Sequence, residues 1–191
     1  SGKSEFTFEH IFIDNCSRDK TAHVLRALAQ ETSRVKVILN ARNFGHIRSP
    51  FYGLIQAQGD AVILIACDFQ DPPELINEFL TKWREGYKVV VGVKTAAAES
   101  MVMFAIRTLY YRLVNRLADV ELTSNMTGFG LYDRQVIQTL RSLDDPYPYF
   151  RGLIADIGYE SAKITYHQPR RARGITKNNF YTLYDLAMLG I

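Results

Sequence analysis

Gly59-Asp60-Ala61-Val62-Ile63-Leu64-Ile65-Ala66-Cys67-Asp68-Phe69-Gln70-Asp71-Pro72-Pro73-Glu74 decides how this chain of 191 residues is read. Residues 61–66 are an unbroken run of small and branched apolar side chains, the pattern of a strand covered on both faces. The run ends at Asp68. Pro72-Pro73 then opens a helix, since proline fits the first helical turn without strain. Leu75, Phe79, Leu80 and Trp83 give that helix one buried stripe, Gly86 stops it, and 88–93 resumes a strand.

The same alternation extends upstream. Residues 6–14 read as a strand, 21–32 as a helix with Val24, Leu25, Leu28 and Ala29 on one face, 35–39 as a second strand, and 50–58 as a helix stopped by Gly59-Asp60. Downstream, a long helix is expected over 100–117, a strand over 127–132, helices over 134–140 and 149–157, and a strand over 162–166. Strands alternating with helices across short connections predict an α/β domain with a largely parallel sheet flanked by helices. No linker or repeat interrupts the series, so residues 1–191 are expected to form a single domain.

Composition removes several classes of function. With 47% apolar and 23% charged residues the chain can bury a core, which excludes disorder. A net charge of +3 is too mild to predict nucleic-acid binding. Two cysteines, Cys16 and Cys67, make neither a disulfide framework nor a zinc site and read as reduced thiols. The longest clean apolar run, 61–67, falls far below the ~18 residues of a membrane span. The four histidines have no metal-ligand spacing, and His46 is read as a solvated loop residue.

In open parallel sheets ligands bind beyond the carboxyl ends of the strands. Asp14 ends one strand, and Asp68-Phe69-Gln70-Asp71 follows another. A carboxylate and an amide oxygen two residues apart on extended backbone point the same way, so Asp68 and Gln70 could share one hard cation such as Mg2+ or Mn2+. The plainer alternative is a set of turn formers and helix N-terminal acids ahead of Pro72-Pro73.

The run 59–76, followed by Trp83-Arg84-Glu85-Gly86-Tyr87 and the strand to Gly92, closely resembles family 2 glycosyltransferases, most of all the dolichyl- and polyprenyl-phosphate sugar transferases. Residues 13–21 resemble that family's Asp-Asp-Gly-Ser-x-Asp-x-Thr segment. Asn43-Phe44-Gly45 with Gly53, Ala57 and Gly59-Asp60 resembles the next loop and helix. Residues 111–120 resemble the helix and turn on the acceptor side, and 171–177 a phosphate-contacting Arg-x-Ala-Gly-x-Ser-Lys loop. The order and spacing of these pieces carry more weight than any one of them.

The resemblance implies a GT-A fold and an inverting, single-displacement transfer from a nucleotide-sugar donor to a polyprenyl phosphate. It places Asp14 and Asn43 with Asp68 on the donor, and Asp68 and Gln70 on a Mg2+ or Mn2+ ion. Asp68 and Asp71 would form the acidic centre, Asp71 in a role closer to loop support than to chemistry. Arg171 and Lys177 would grip phosphate, Arg as a bidentate fork and Lys as a point charge. A lipid phosphate is already anionic near neutral pH, so placement would matter more than a strong base.

Three departures from the family pattern stand out. Ala66 occupies the place of the first Asp of the Asp-x-Asp-x-Gln pattern. Gly128 and Gly130 stand where relatives often carry an acid and an arginine, while nearby Asp133 is expected to start a helix. The opening strand of the family is also missing, so the sheet is expected to be incomplete at its N-terminal side. On the membrane side, residues 101–117 mix apolar residues with Arg107, Arg112 and Arg116, which suits either an anionic lipid surface at the cytoplasmic face or packing on the core. Residues 178–191 are expected to form an interfacial helix. A homo-oligomer is left open, and so are a sugar-nucleotide-binding or scaffold module that has lost transfer and a glycosyltransferase with a non-lipid acceptor.

Overall fold

The computed structural model describes residues 6–95 and 126–169. The helix expected over 100–117, the segment 178–191, Arg171 and Lys177 lie outside the described residues. Strand β1 (His10–Asp14) leads through helix α1 (Thr21–Glu31) to β2 (Val35–Leu39), and the two strands pair in parallel with His10 opposite Val35 and Asp14 opposite Leu39. Helix α2 (Gly45–Gln56) follows, then β3 (Ala61–Leu64), a 3-10 turn at Pro73–Leu75, α3 (Ile76–Arg84) and β4 (Val89–Lys94). The last described stretch carries β5 (Met126–Asp133), α4 (Arg134–Leu143), α5 (Phe150–Asp156) and β6 (Ser161–Tyr166).

The sheet is largely parallel, as expected, with one strand reversed. Among the described residues the strands fall into a parallel pair, β1-β2, and a mixed sheet of order β3-β5-β4-β6. β4 and β6 are parallel, but β5 runs antiparallel between β3 and β4. A strand covered on both faces carries the same apolar signature in either direction, so the run over 126–133 gave no sign of its reversal. Where β5 crosses, Gly130 lies opposite both Leu64 and Val91. A Cβ at Gly130 would stand 2.4 Å from the Val90 carbonyl oxygen, so glycine is what lets these two backbones approach. A side chain at position 130 has no room on this backbone.

Period-two alternation places β4 and β5 residues in two cores, one on each face of the mixed sheet. Val89, Val91, Met126 and Tyr132 pack with Phe51 and Leu54 of α2, Val136, Ile137 and Leu140 of α4, and Ile154 of α5. On the other face Val90, Phe129 and Leu131 pack with Phe79 of α3 and with Ile164 and Tyr166 of β6. Phe129 meets Phe79 and Tyr166 edge to face, with ring centroids 4.9 and 5.6 Å away. Burying each such side chain stabilises the fold by roughly 1.5–3 kcal/mol.

Helix α2 starts five residues earlier than the sequence predicted, leaving Pro50 inside it. The start is set at Gly45, whose N–H donates to Asn43 Oδ1 at 2.8 Å, rather than by the proline. At its other end, Arg141 Nε donates to Ile55 O at 2.6 Å, and Arg134 Nη2 donates to Gln58 O at 2.8 Å, so α4 supplies donors to the carbonyls that end α2 and begin the next turn. Asp133 caps α4 as expected, its carboxylate accepting from Gln135 N at 2.9 Å.

Candidate active site

Strands β3, β4 and β6 point the same way, so their carboxyl ends meet at one edge. After β3, residues 66–71 turn back on themselves. Asp68 Oδ1 accepts from Gln70 N at 3.2 Å, and Phe69 between them takes a left-handed φ of 60° and leaves 74% of its surface exposed. Asp71 closes the loop from below. Its Oδ2 accepts from Ala66 N at 3.1 Å and its Oδ1 from the Tyr166 hydroxyl at 3.1 Å. Both oxygens of Asp71 are engaged and the residue is 7% exposed, which makes it the brace of this loop.

Burial raises the Asp71 carboxyl above the usual range, and the nearby Asp68 charge adds to this against the opposing bonds from Ala66 and Tyr166. Lys94, the last residue of β4, is half-buried, and burial lowers its ammonium below the usual lysine value. Asp71 and Asp68 pull it back up while Arg151 of α5 pushes it down. Asp68, Asp71, Lys94 and Arg151 therefore form one charged cluster. The sequence reading missed Lys94 because it looked like the polar end of an apolar strand, and nothing in its local sequence sets it apart.

The donor set of the turn suits a hard divalent ion. The backbone from Asp68 to Gln70 is a turn rather than the expected extended segment, with Phe69 left-handed between them, and Gln70 turns its amide nitrogen to the Pro169 carbonyl at 3.4 Å, which leaves Oε1 as its acceptor end. Among the described residues no group of three or more His, Cys, Asp and Glu side chains could hold a metal. Two protein oxygens match an ion such as Mg2+ that keeps most of its shell for water and substrate phosphates.

A second cluster lies beyond β1 and β2. Asp14 is 7% exposed, and its carboxylate accepts the Ser17 N–H at 3.2 and 3.3 Å and the Ser17 hydroxyl. Asn15 next to it joins the two loops. Its Nδ2 donates to Asn43 Oδ1 at 2.8 Å and to Gly45 O at 3.0 Å, while its Oδ1 accepts from Phe44 N at 2.9 Å and Asn40 Nδ2 at 3.1 Å. These loops flank an open cavity of about 730 Å3 lined by Asn15, Ser17, Arg18, Asp19, Arg42 and Asn43, with Cys16 and Ala41. That volume falls in the range of small-molecule sites.

The structure thus joins Asp14 to Asn43 through Asn15, sets Asp68 and Gln70 in one turn braced by Asp71, and brings Lys94 within electrostatic reach of Asp68, Asp71 and Arg151. His46 is exposed at the start of α2. Both cysteines are free and exposed. The Tyr147-Pro148-Tyr149-Phe150 stretch serves packing in part: Phe150 meets Tyr132 and Phe51 with centroids 5.2 and 6.1 Å away, while exposed Tyr147 lies under the Arg48 guanidinium at 5.0 Å.

The model of the family described as "Glycosyl transferase family 2" matches residues 4–141, most of the chain, including the loops after β1 and β2, the turn 66–71 and Lys94. The chain belongs to glycosyl transferase family 2. Its mixed α/β architecture is accordingly the GT-A fold. The chain is 35% identical over 185 residues to the uncharacterized glycosyltransferase YkcC of Bacillus subtilis, covering 96% of this chain and 57% of that protein. It is 34% identical over 188 residues to the uncharacterized glycosyltransferase sll0501 of Synechocystis, covering 98% and 59%. It is 30% identical over 187 residues to the bactoprenol glucosyl transferase of Shigella phage SfV, covering 97% and 61%. The chain spans about three fifths of the length of these curated relatives. As a member of family 2 it resembles the polyprenyl-phosphate sugar transferases. Among the described residues no helix is long and apolar enough to cross a membrane.

Proposed function

We propose that this chain is the catalytic domain of a glycosyltransferase that moves a sugar from a nucleotide-sugar donor to a polyprenyl phosphate at the cytoplasmic face of a membrane, inverting the anomeric centre. The observation that carries the reading is the braced turn 66–71 at the shared edge of β3, β4 and β6, whose carboxylates Asp68 and Asp71 lie within electrostatic reach of Lys94. The similarity to a bactoprenol glucosyl transferase supports the acceptor class.

In this reading Asp14 and Asn43 hold the nucleoside end of the donor near the cavity beyond β1 and β2. Asp68 and Gln70 hold Mg2+ or Mn2+, which when bound offsets charge growing on the departing diphosphate. Lys94 adds a positive charge beside them. Arg171 and Lys177 grip the acceptor phosphate, and an anionic lipid surface docks the domain. The acceptor oxygen is anionic before reaction, so the residues' work is to place it and to hold the leaving group rather than to remove a proton.

Asp68→Asn tests the metal assignment. Removing the carboxylate charge should weaken Mn2+-dependent nucleotide binding at least tenfold, about 1.4 kcal/mol, with an unchanged melting temperature. Unchanged calorimetric affinity in Mn2+ would remove Asp68 from the metal site. The transfer itself is tested by incubating the protein with labelled nucleotide sugars and polyprenyl phosphate, with and without Mn2+. One observation favours a second reading. Ala66 supplies only its backbone N–H to this turn, where the family pattern has a further carboxylate, as a sugar-nucleotide-binding module without transfer would. Nucleotide binding without product would select that module.

A further inference from the structure

Tyr166 ends β6 with a buried ring packed on Phe129, and its main-chain oxygen accepts from Thr95 N at 2.9 Å and from the Thr95 hydroxyl at 3.2 Å. The ring is therefore held by its packing and the main chain by Thr95, and the hydroxyl donates to Asp71 Oδ1 at 3.1 Å. Three residues further on, the Pro169 carbonyl accepts from Gln70 Nε2 at 3.4 Å. Two side chains of the turn 66–71, Asp71 and Gln70, are thus tied to the stretch that leaves β6.

A hydroxyl at this place does something a phenyl ring cannot. Asp71 divides its two oxygens between the start of its own turn, at Ala66 N, and a separate strand, at Tyr166. Without the Tyr166 donor, Asp71 Oδ1 is a nearly buried carboxylate oxygen lacking that partner, and the carboxylate gains by turning toward water. That turn would release Ala66 N and open the loop carrying Asp68 and Gln70.

We infer that Tyr166 is a positioning residue: through Asp71 its hydroxyl sets the shape of the turn 66–71, so that the Asp68 and Gln70 oxygens are presented together and in register with the chain leaving β6. The inference rests on the transferase reading for its functional consequence, although the brace itself can be measured without any ligand.

The test compares Tyr166→Phe, Asp71→Asn and the double variant by amide hydrogen exchange and by calorimetric binding of a nucleoside diphosphate with Mn2+. Tyr166→Phe keeps the ring, so its melting temperature should stay near that of the wild type. Exchange at residues 66–70 should quicken about tenfold while β4 and β5 keep their protection. Nucleotide affinity should fall about tenfold, the scale of one hydrogen bond to a charged group. Because the hydroxyl acts through Asp71, the double variant should lose no more than Asp71→Asn alone. Tyr159→Phe, whose hydroxyl lies 3.4 Å from Thr139 Oγ1, should leave both readouts unchanged. Multiplying losses in the double variant, or unaltered exchange at 66–70 in Tyr166→Phe, would overturn the inference. A wild-type protein that binds no nucleoside diphosphate would instead sink the transferase reading, and the exchange cycle would still decide the brace.

Discussion

The β1-α1-β2 unit and the four-stranded sheet are built to different standards. Across residues 10–39 Asp14 alone is buried, and α1 buries none of its residues. In the mixed sheet Val89, Val90, Leu131 and Tyr132 have no exposed surface, and neither do Phe79 and Val136 packed against it. The first unit holds a carboxylate where the second holds hydrocarbon. Stability therefore comes mainly from the second region, while the first contributes loops shaped by Asn15, Asn40 and Asn43 around an open cavity. Regions with few buried apolar contacts open at low free-energy cost.

The largest expected effect breaks the contrast at its strong side. Phe129→Ala removes a ring that is 2% exposed and held by Phe79 and Tyr166, and should cost about 4 kcal/mol. Phe12→Ala, at a half-buried position of β1, should cost only about 1 kcal/mol, since an exposed edge collapses or hydrates with little loss. Urea unfolding of the two variants measures the difference, and equal losses would mean that the first unit shares the main core.

A smaller effect separates the regions by pH. Asp133 binds the Trp83 indole N–H at 2.7 Å, Lys88 Nζ at 3.2 Å and Gln135 N at 2.9 Å. Burial alone would raise its carboxyl, but these three donors outweigh it and hold the group below its ordinary value. A carboxyl whose folded pKa lies below its unfolded value stabilises the fold above the unfolded value, about 3.9, and that contribution disappears as pH falls through the folded value. Asp133→Asn should thus cost about 2 kcal/mol at neutral pH, with the gap between variant and wild type closing below about pH 3.9. A gap that stayed constant down to pH 2 would mean that the amide and indole contacts, rather than the charge, carry the effect.

What the sequence made legible follows from how local each signal is. The run 61–66 and the stripe of Phe79 and Leu80 announce themselves through neighbours a few residues away, and the elements lie where that pattern puts them. The direction of β5 was not legible, because Gly130 owes its identity to the Val90 carbonyl across the sheet and nothing nearby in the chain records that contact. The start of α2 was misplaced for a similar reason: Pro50 is a local sign, but Asn15 from the preceding loop fixes Asn43 and Gly45. Asp14, Asp68 and Gln70 could be singled out as polar residues ending apolar strands. Lys94 and Tyr166 could not, since each looks ordinary until three strands bring their ends together.

The smallest expected change in stability belongs to Asp14, the carboxylate that takes the place of a core in the first unit. Asp14→Asn retains an oxygen able to accept the Ser17 N–H and hydroxyl, so the loop should survive with a loss below about 1 kcal/mol. The charge is what disappears. If Asp14 contacts the nucleoside of the donor, its replacement should weaken nucleotide binding about tenfold, or 1.4 kcal/mol, while thermal unfolding stays close to that of the wild type. Affinity and stability would then part company at this residue, whereas a change at Phe129 would drag both down together. A variant that unfolded as readily as Phe129→Ala would make the buried carboxylate a keystone of the fold and move the donor contact elsewhere in the loops after β1 and β2.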